Sequence, residues 1–130
     1  DREMGNGPIQ GRLISFKELV HPYELPSIKI ATNEIENALQ TDGKRTINLD
    51  SGYIHHTQFV LASTKHWANR LYLGRGIYAE ITLMYVDGAF TPLPYTYPNY
   101  RAQEYLEPLT KIREGYLEKR KLLYGKSRKG

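Results

Sequence analysis

The stretch Arg70-Leu-Tyr-Leu-Gly-Arg-Gly-Ile-Tyr-Ala-Glu-Ile-Thr-Leu-Met-Tyr85 constrains the fold of this chain more than any other. β-Branched and aromatic residues flank Gly74-Arg75-Gly76, the pattern of two strands joined by a tight turn. A β-hairpin is therefore expected over 70–86, with strands at 71–73 and 77–86. Successive side chains of a strand face opposite sides. Ile77, Ala79, Ile81, Leu83 and Tyr85 then form an expected core face, and Tyr78, Glu80, Thr82, Met84 and Val86 a second, only partly apolar one. Glu80 falls in mid-strand. A carboxylate there must face water, meet a cation or serve a site, because an unpaired buried charge is costly. The plain expectation is a cross-strand partner such as Arg70; the functional one is a general base or metal ligand on the floor of a cleft.

The hairpin sits in an α+β pattern with a mixed or antiparallel sheet, packed helices and a long C-terminal helix. Short strands are expected at 12–16, 27–31 and 45–50, and a helix at 33–40 capped by Thr32 or Asn33. His21-Pro-Tyr-Glu-Leu-Pro26 reads as an irregular connection, since a proline disfavours helix in the residue before it. The apolar run 54–62 fits a helix or a buried strand, and helix is the expectation. Asp87-Gly88 signals a two-residue turn into a strand at 89–91. Pro92-Leu-Pro-Tyr-Thr-Tyr-Pro98 is expected as extended surface chain. From Tyr100 onward the spacing of Tyr105, Leu109, Ile112, Tyr116 and Leu123 predicts a helix, kinked or restarted at Pro108 and weakened by Gly115.

At 130 residues the length suits one domain. One domain is expected over 1–124, followed by a flexible basic tail at 125–130. The chain opens at Asp1 without an initiator methionine, and so reads as lacking a natural N-terminal segment. No apolar run approaches the ~20 residues of a membrane span, so no membrane partner is expected. With no cysteine, disulfides and thiolate metal sites are excluded, and a cytoplasmic setting is expected. The net charge of +4 is unevenly placed: eight basic and two acidic residues after position 110 put +6 there, leaving −2 on the rest. Such a basic helix can bind nucleic acid through Lys119, Arg120 and Lys121, although a solvated helix end explains the same charges.

Several groups carry candidate chemistry. Asn48 and Asp50 share a strand face, and Ser51-Gly52 turns the chain so that Tyr53 and one of His55 and His56 converge on them. This oxygen and nitrogen set suits zinc or manganese, but its spacing matches no standard motif. Adjacent histidines should point apart, so His55 and His56 are weak metal candidates. Thr64 and Lys65, in Ser63-Thr-Lys-His-Trp67, offer a hydroxyl and an ammonium to a phosphate or carboxylate. Eleven tyrosines, among them Tyr78 and Tyr97, can stack on a ligand or tie down loops. A P-loop, a dinucleotide fingerprint and a Gly-x-Ser-x-Gly elbow are all absent.

Asn48-Leu-Asp-Ser-Gly-Tyr53, Val60-Leu-Ala-Ser-Thr-Lys65, 70–83 and Thr96-Tyr-Pro-Asn-Tyr-Arg101 resemble, in order, the bacterial family catalogued as domain of unknown function 4416. Arg12-Leu-Ile-Ser-Phe16 and Ile30-Ala-Thr-Asn-Glu34 look similar to its first half. The resemblance implies a further N-terminal β-α-β segment, and some members are labelled GTP-binding proteins. His55-His56 and Asn69 look unlike the family pattern. The resemblance supplies no function.

The leading expectation is a non-catalytic binding module for a small anionic or nucleotide-like ligand, lined by Asn48, Asp50, Tyr53, Thr64, Lys65, Arg70, Tyr78, Glu80 and Tyr97. The alternatives are a small metal-assisted hydrolase or transferase with Glu80 or Asp50 as general base, and a nucleic-acid-associated protein. The sequence names no cofactor and no oligomeric state.

Overall fold

The computed structural model describes residues 21–40, 42–44 and 49–129, with side chains described through 123. Strand expectations at 12–16 and over most of 45–50 lie outside the described residues, as does Asn48. The architecture is α+β, with an antiparallel five-stranded sheet and two helices, the second long and C-terminal. The sheet comprises β1 (Gly52–His55), β2 (Gln58–Ser63), β3 (Arg70–Gly74), β4 (Ile77–Val86) and β5 (Ala89–Pro92). Its order is β1-β2-β4-β3, with β5 also paired to β4. The helices are α1 (Leu25–Ala38) and α2 (Gln103–Lys129), each preceded by a single 3-10 turn. Chain contacts divide the protein into two units, one containing His21–Gly52 with Leu61–Glu80, the other Tyr53–Val60 with Ile81–Gly130.

In the first unit α1 replaces the expected strand at 27–31, and the expected irregular connection at 21–26 forms the 3-10 turn Pro22–Glu24 running into it. Pro26 lies in the first turn, where its missing N–H costs nothing, and the helix ends at Ala38 rather than at Gln40. The buried positions Leu25, Lys29 and Glu36 fall on one helical face, while Ile35 and Leu39 are exposed. Two inward positions are charged, so the apolar spacing that announces a helix is broken, and Ile28 and Ile30 mimic a strand. The 70–86 hairpin forms as expected, with Arg70 opposite Glu80 and Gly74 opposite Ile77. Arg75 and Gly76 both take positive φ, +57° and +78°, as a two-residue type I′ turn requires. Leu71 and Tyr72 on β3 are mostly exposed, at 71% and 62%.

In the second unit the run 54–62 begins as a hairpin rather than a helix, turning at His56-Thr57. Phe59 and Val60 are both buried, so β2 is covered on both faces. A strand covered on both sides reads as a continuous apolar run, which is why its periodicity was silent. Asp87 and Gly88 make another positive-φ turn, at +51° and +83°, and β5 pairs antiparallel with β4 from Val86↔Ala89 to Leu83↔Pro92. Leu83, Phe90, Tyr100 and Leu109 form the apolar interior, with Phe59 and Tyr100 rings 5.8 Å apart.

The expected two faces of β4 are less distinct than their letters. Ile77 and Leu83 are buried as expected, but Glu80 and Thr82 on the opposite face are buried too. The proline segment is not loose surface chain either. The Thr96 hydroxyl accepts from the Leu93 N–H at 2.8 Å and donates to the Thr82 carbonyl at 2.6 Å, and Tyr95 donates to the Ile81 carbonyl at 2.6 Å. These carbonyls fall between the stretch of β4 paired with β3, which ends at Glu80, and the stretch paired with β5, which begins at Leu83. The two side chains thereby give these backbone acceptors donors and tie the segment to β4. Arg101 holds the same segment by donating to the carbonyls of Thr96, Leu93 and Pro94. α2 passes through Pro108 and Gly115 without restarting, and at its far end Leu123 is 57% exposed rather than core.

Candidate functional site

The Arg70–Glu80 cross-strand pair organises the polar centre of the first unit. Antiparallel register places the two residues opposite each other, and the Glu80 Oε1 accepts from Arg70 Nε at 3.0 Å. The Asn69 amide donates to the same oxygen at 3.1 Å. Glu80 is only 6% exposed, so the guanidinium and the amide stand where water would otherwise solvate its charge. The plain reading of Glu80 is the one the geometry realises.

Arg70 reaches further. Its Nη1 donates to the Ser63 hydroxyl at 3.1 Å and to the Lys65 carbonyl at 2.9 Å. The Ser63 hydroxyl also accepts from the Lys65 N–H at 3.1 Å. One arginine thus ties the end of β2, the following loop and mid-β4 together. The loop backbone is held while the side chains of Thr64, Lys65, His66 and Trp67 remain exposed. His66 meets the edge of Tyr78 with ring centroids 5.5 Å apart, and Tyr72 lies 5.1 Å from Tyr78. The result is an exposed lysine and a group of rings beside a hydrogen-bonded loop.

Of the residues expected at the site, Arg70, Glu80 and the Lys65 backbone are joined by hydrogen bonds, Thr64 lies in the same loop, and Tyr78 meets that loop through His66. Asp50 belongs to the same unit and is exposed. Tyr53 and Tyr97 belong to the second unit, where Tyr53 is half-buried and Tyr97 is 61% exposed. Burial raises the Tyr53 phenol above its ordinary pKa.

The sequence reading missed Lys29 and Glu36. Both are buried on α1 and both address Leu49: the Glu36 carboxylate accepts its N–H at 2.5 Å and Lys29 donates to its carbonyl at 3.4 Å. Their seven-residue spacing is a signal of one helical face, but it becomes legible only once the segment is known to be helix. Asn69 and Ser63 were also missed as positioning residues, being ordinary loop letters until the hairpin register is known.

His55 and His56 do not point apart. The turn brings their rings to 4.2 Å, and His55 lies 5.9 Å from Tyr116. Arg120 Nη1 approaches His56 Nδ1 at 2.9 Å. Arg113 donates to the His56 carbonyl at 2.8 Å and lies over the Tyr85 ring, 3.4 Å from its centre. Desolvation first, then His56 and Arg120, lower the His55 pKa. Among the described residues no group of three or more His, Asp or Glu is placed to hold a metal ion. Arg120, one of the three residues expected to touch nucleic acid, is engaged with His56, whereas Lys121 is exposed. Among the described residues no helix is long and apolar enough to cross a membrane.

Compared with known families, residues 1–116 match the one described as "Domain of unknown function (DUF4416)". No curated protein and no solved structure matches the chain.

Proposed function

This chain belongs to the DUF4416 family, and from that premise we propose that it is a non-catalytic binding module for a small anionic, nucleotide-like ligand. The observation that supports this is the loop after β2, whose backbone is held by Arg70 and Ser63 while Thr64 and Lys65 face solvent. Lys65 and Thr64 supply donors to a phosphate. Tyr78, with Tyr72 and His66 beside it, offers ring faces and edges to a base. Glu80 fits a structural role better than that of a general base, because its charge is already spent on Arg70 and Asn69. The lack of cysteine is in keeping with a cytoplasmic setting.

The test is calorimetric titration of nucleoside 5′-monophosphates into the intact chain, with phosphorus NMR of the same mixtures. Saturable binding is expected to weaken at least fivefold in Lys65→Ala and in Tyr78→Leu, with the nucleotide recovered unchanged. Lys65 is exposed, so its removal leaves the fold in place. Absence of binding across the four bases overturns the proposal, and conversion of the nucleotide replaces it with the enzymatic reading.

A further inference from the structure

Three aromatic rings in the first unit touch in succession, with a cation beside each end of the series. His66 meets Tyr78 at 5.5 Å between ring centres, and Tyr78 meets its cross-strand partner Tyr72 at 5.1 Å. The Tyr72 hydroxyl accepts from the Gly76 N–H at 3.2 Å, which fastens this ring to the hairpin turn. Lys65 precedes His66 in the loop and Arg75 precedes Gly76 in the turn, and both are exposed. Arg75 Nη1 donates to the Ser27 hydroxyl at 2.9 Å. The other formal charges of 63–80 are Arg70 and Glu80, which offset each other in their 3.0 Å pair. This stretch therefore shows the solvent two cations and no carboxylate.

A ring left in water adds little to a core, yet Tyr72 is 62% exposed and Trp67, next to His66, is 66% exposed. Exposed rings beside cations match a partner that alternates flat bases with phosphates. A small ligand is enclosed by a concave site. These side chains instead stand on a hairpin whose outer strand, β3, has β4 alone as a partner among the described residues. An open series of rings holds one nucleotide weakly and several adjoining ones together. Bases paired in a duplex are stacked inside it and have no free faces to offer such rings. We propose that the His66, Tyr78 and Tyr72 rings, between Lys65 and Arg75, bind single-stranded nucleic acid. The proposal rests on the nucleotide chemistry read for the Lys65 and Tyr78 surface, and enlarges its ligand from one nucleotide to a strand.

Trp67 is the single tryptophan of the chain, so its fluorescence in the intact protein reports on this loop. Adenosine monophosphate, a single-stranded octaadenylate, an RNA duplex and poly-glutamate are titrated in turn. Affinity should rise at least tenfold from the monophosphate to the octaadenylate, with the duplex and poly-glutamate at least tenfold weaker than the latter. Tyr72→Leu should weaken octaadenylate binding at least fivefold and Tyr72→Phe retain it. Lys65→Ala should lower the salt dependence by about one released counterion. If Tyr72→Leu does not fold, that salt dependence decides. Equal affinity for monophosphate and octaadenylate overturns the proposal and leaves the small-ligand reading intact, whereas no binding of either overturns both. Strand binding without measurable monophosphate binding supports the proposal and ends the small-ligand reading. Duplex bound as tightly as the single strand, or poly-glutamate bound as tightly, which would assign an acidic peptide, also overturns it. So does strand binding lost in Lys121→Ala and kept in Tyr72→Leu, which would assign the strand to α2.

Discussion

Two arginine-centred regions hold loops in place by different chemistry. Around Arg70 the acceptor is a buried carboxylate, with a serine hydroxyl and a carbonyl beside it. Around Arg113 and Arg101 the acceptors are backbone carbonyls, and Arg113 adds the face of Tyr85. The first arrangement places two opposite charges out of water and is costly to break from one side. The second leaves no buried carboxylate behind when an arginine is removed. An ion pair inside a sheet therefore makes its surroundings more brittle than a set of neutral acceptors does.

The strongest challenge to that contrast is Arg70→Ala. It takes the cation away from the buried Glu80 carboxylate and should cost about 3–5 kcal/mol in urea unfolding. A loss below 1 kcal/mol would mean that water reaches Glu80 and that the two regions are alike. Thr96→Val comes next. It removes the donor to the Thr82 carbonyl and the acceptor for the Leu93 N–H, and an expected loss of about 1–3 kcal/mol would be read by the same unfolding curve. Arg113→Ala forfeits a ring contact and one carbonyl bond, and should cost less than Arg70→Ala, about 1–2 kcal/mol.

The smallest effect is one of pH. The folded state lowers the His55 pKa below its ordinary 6.5, so the folded chain binds fewer protons than the unfolded one. The stability linked to this group is complete above the unfolded value and falls away as the pH drops through the folded one. Melting temperatures between pH 7.5 and 5.5 should therefore decline more in the parent than in His55→Gln. Parallel curves would remove His55 as a source of acid sensitivity.

The hairpin at 70–86 and the turn at 87–88 were legible because turn chemistry is local. Two positive-φ residues between β-forming runs leave the backbone few alternatives, and Gly76 and Gly88 supply half of each turn. The Arg70–Glu80 pairing followed from the same register. α1 was not legible, since Lys29 and Glu36 occupy its inward face and interrupt the apolar spacing. The hairpin over 52–63 was hidden for the opposite reason: β2 is apolar on both sides, and a continuous run has no period.

The candidate site divides along the same line. Lys65, Arg70, Tyr78 and Glu80 lie within sixteen residues around one hairpin, so chain geometry alone brought them into view. Lys29 and Leu49 are 20 positions apart, and only the packing of α1 brings them into contact.

By itself the sequence determined the two tight turns, the alternation along β4, the cross-strand charge pair and the long helix after Tyr100. Each is a local consequence of backbone sterics or of side-chain period. Tertiary structure alone decided which face of β4 is covered, where the proline segment finds its hydrogen bonds and which charged side chains are buried. Those outcomes depend on desolvation by elements distant along the chain, and no short window of residues carries that information.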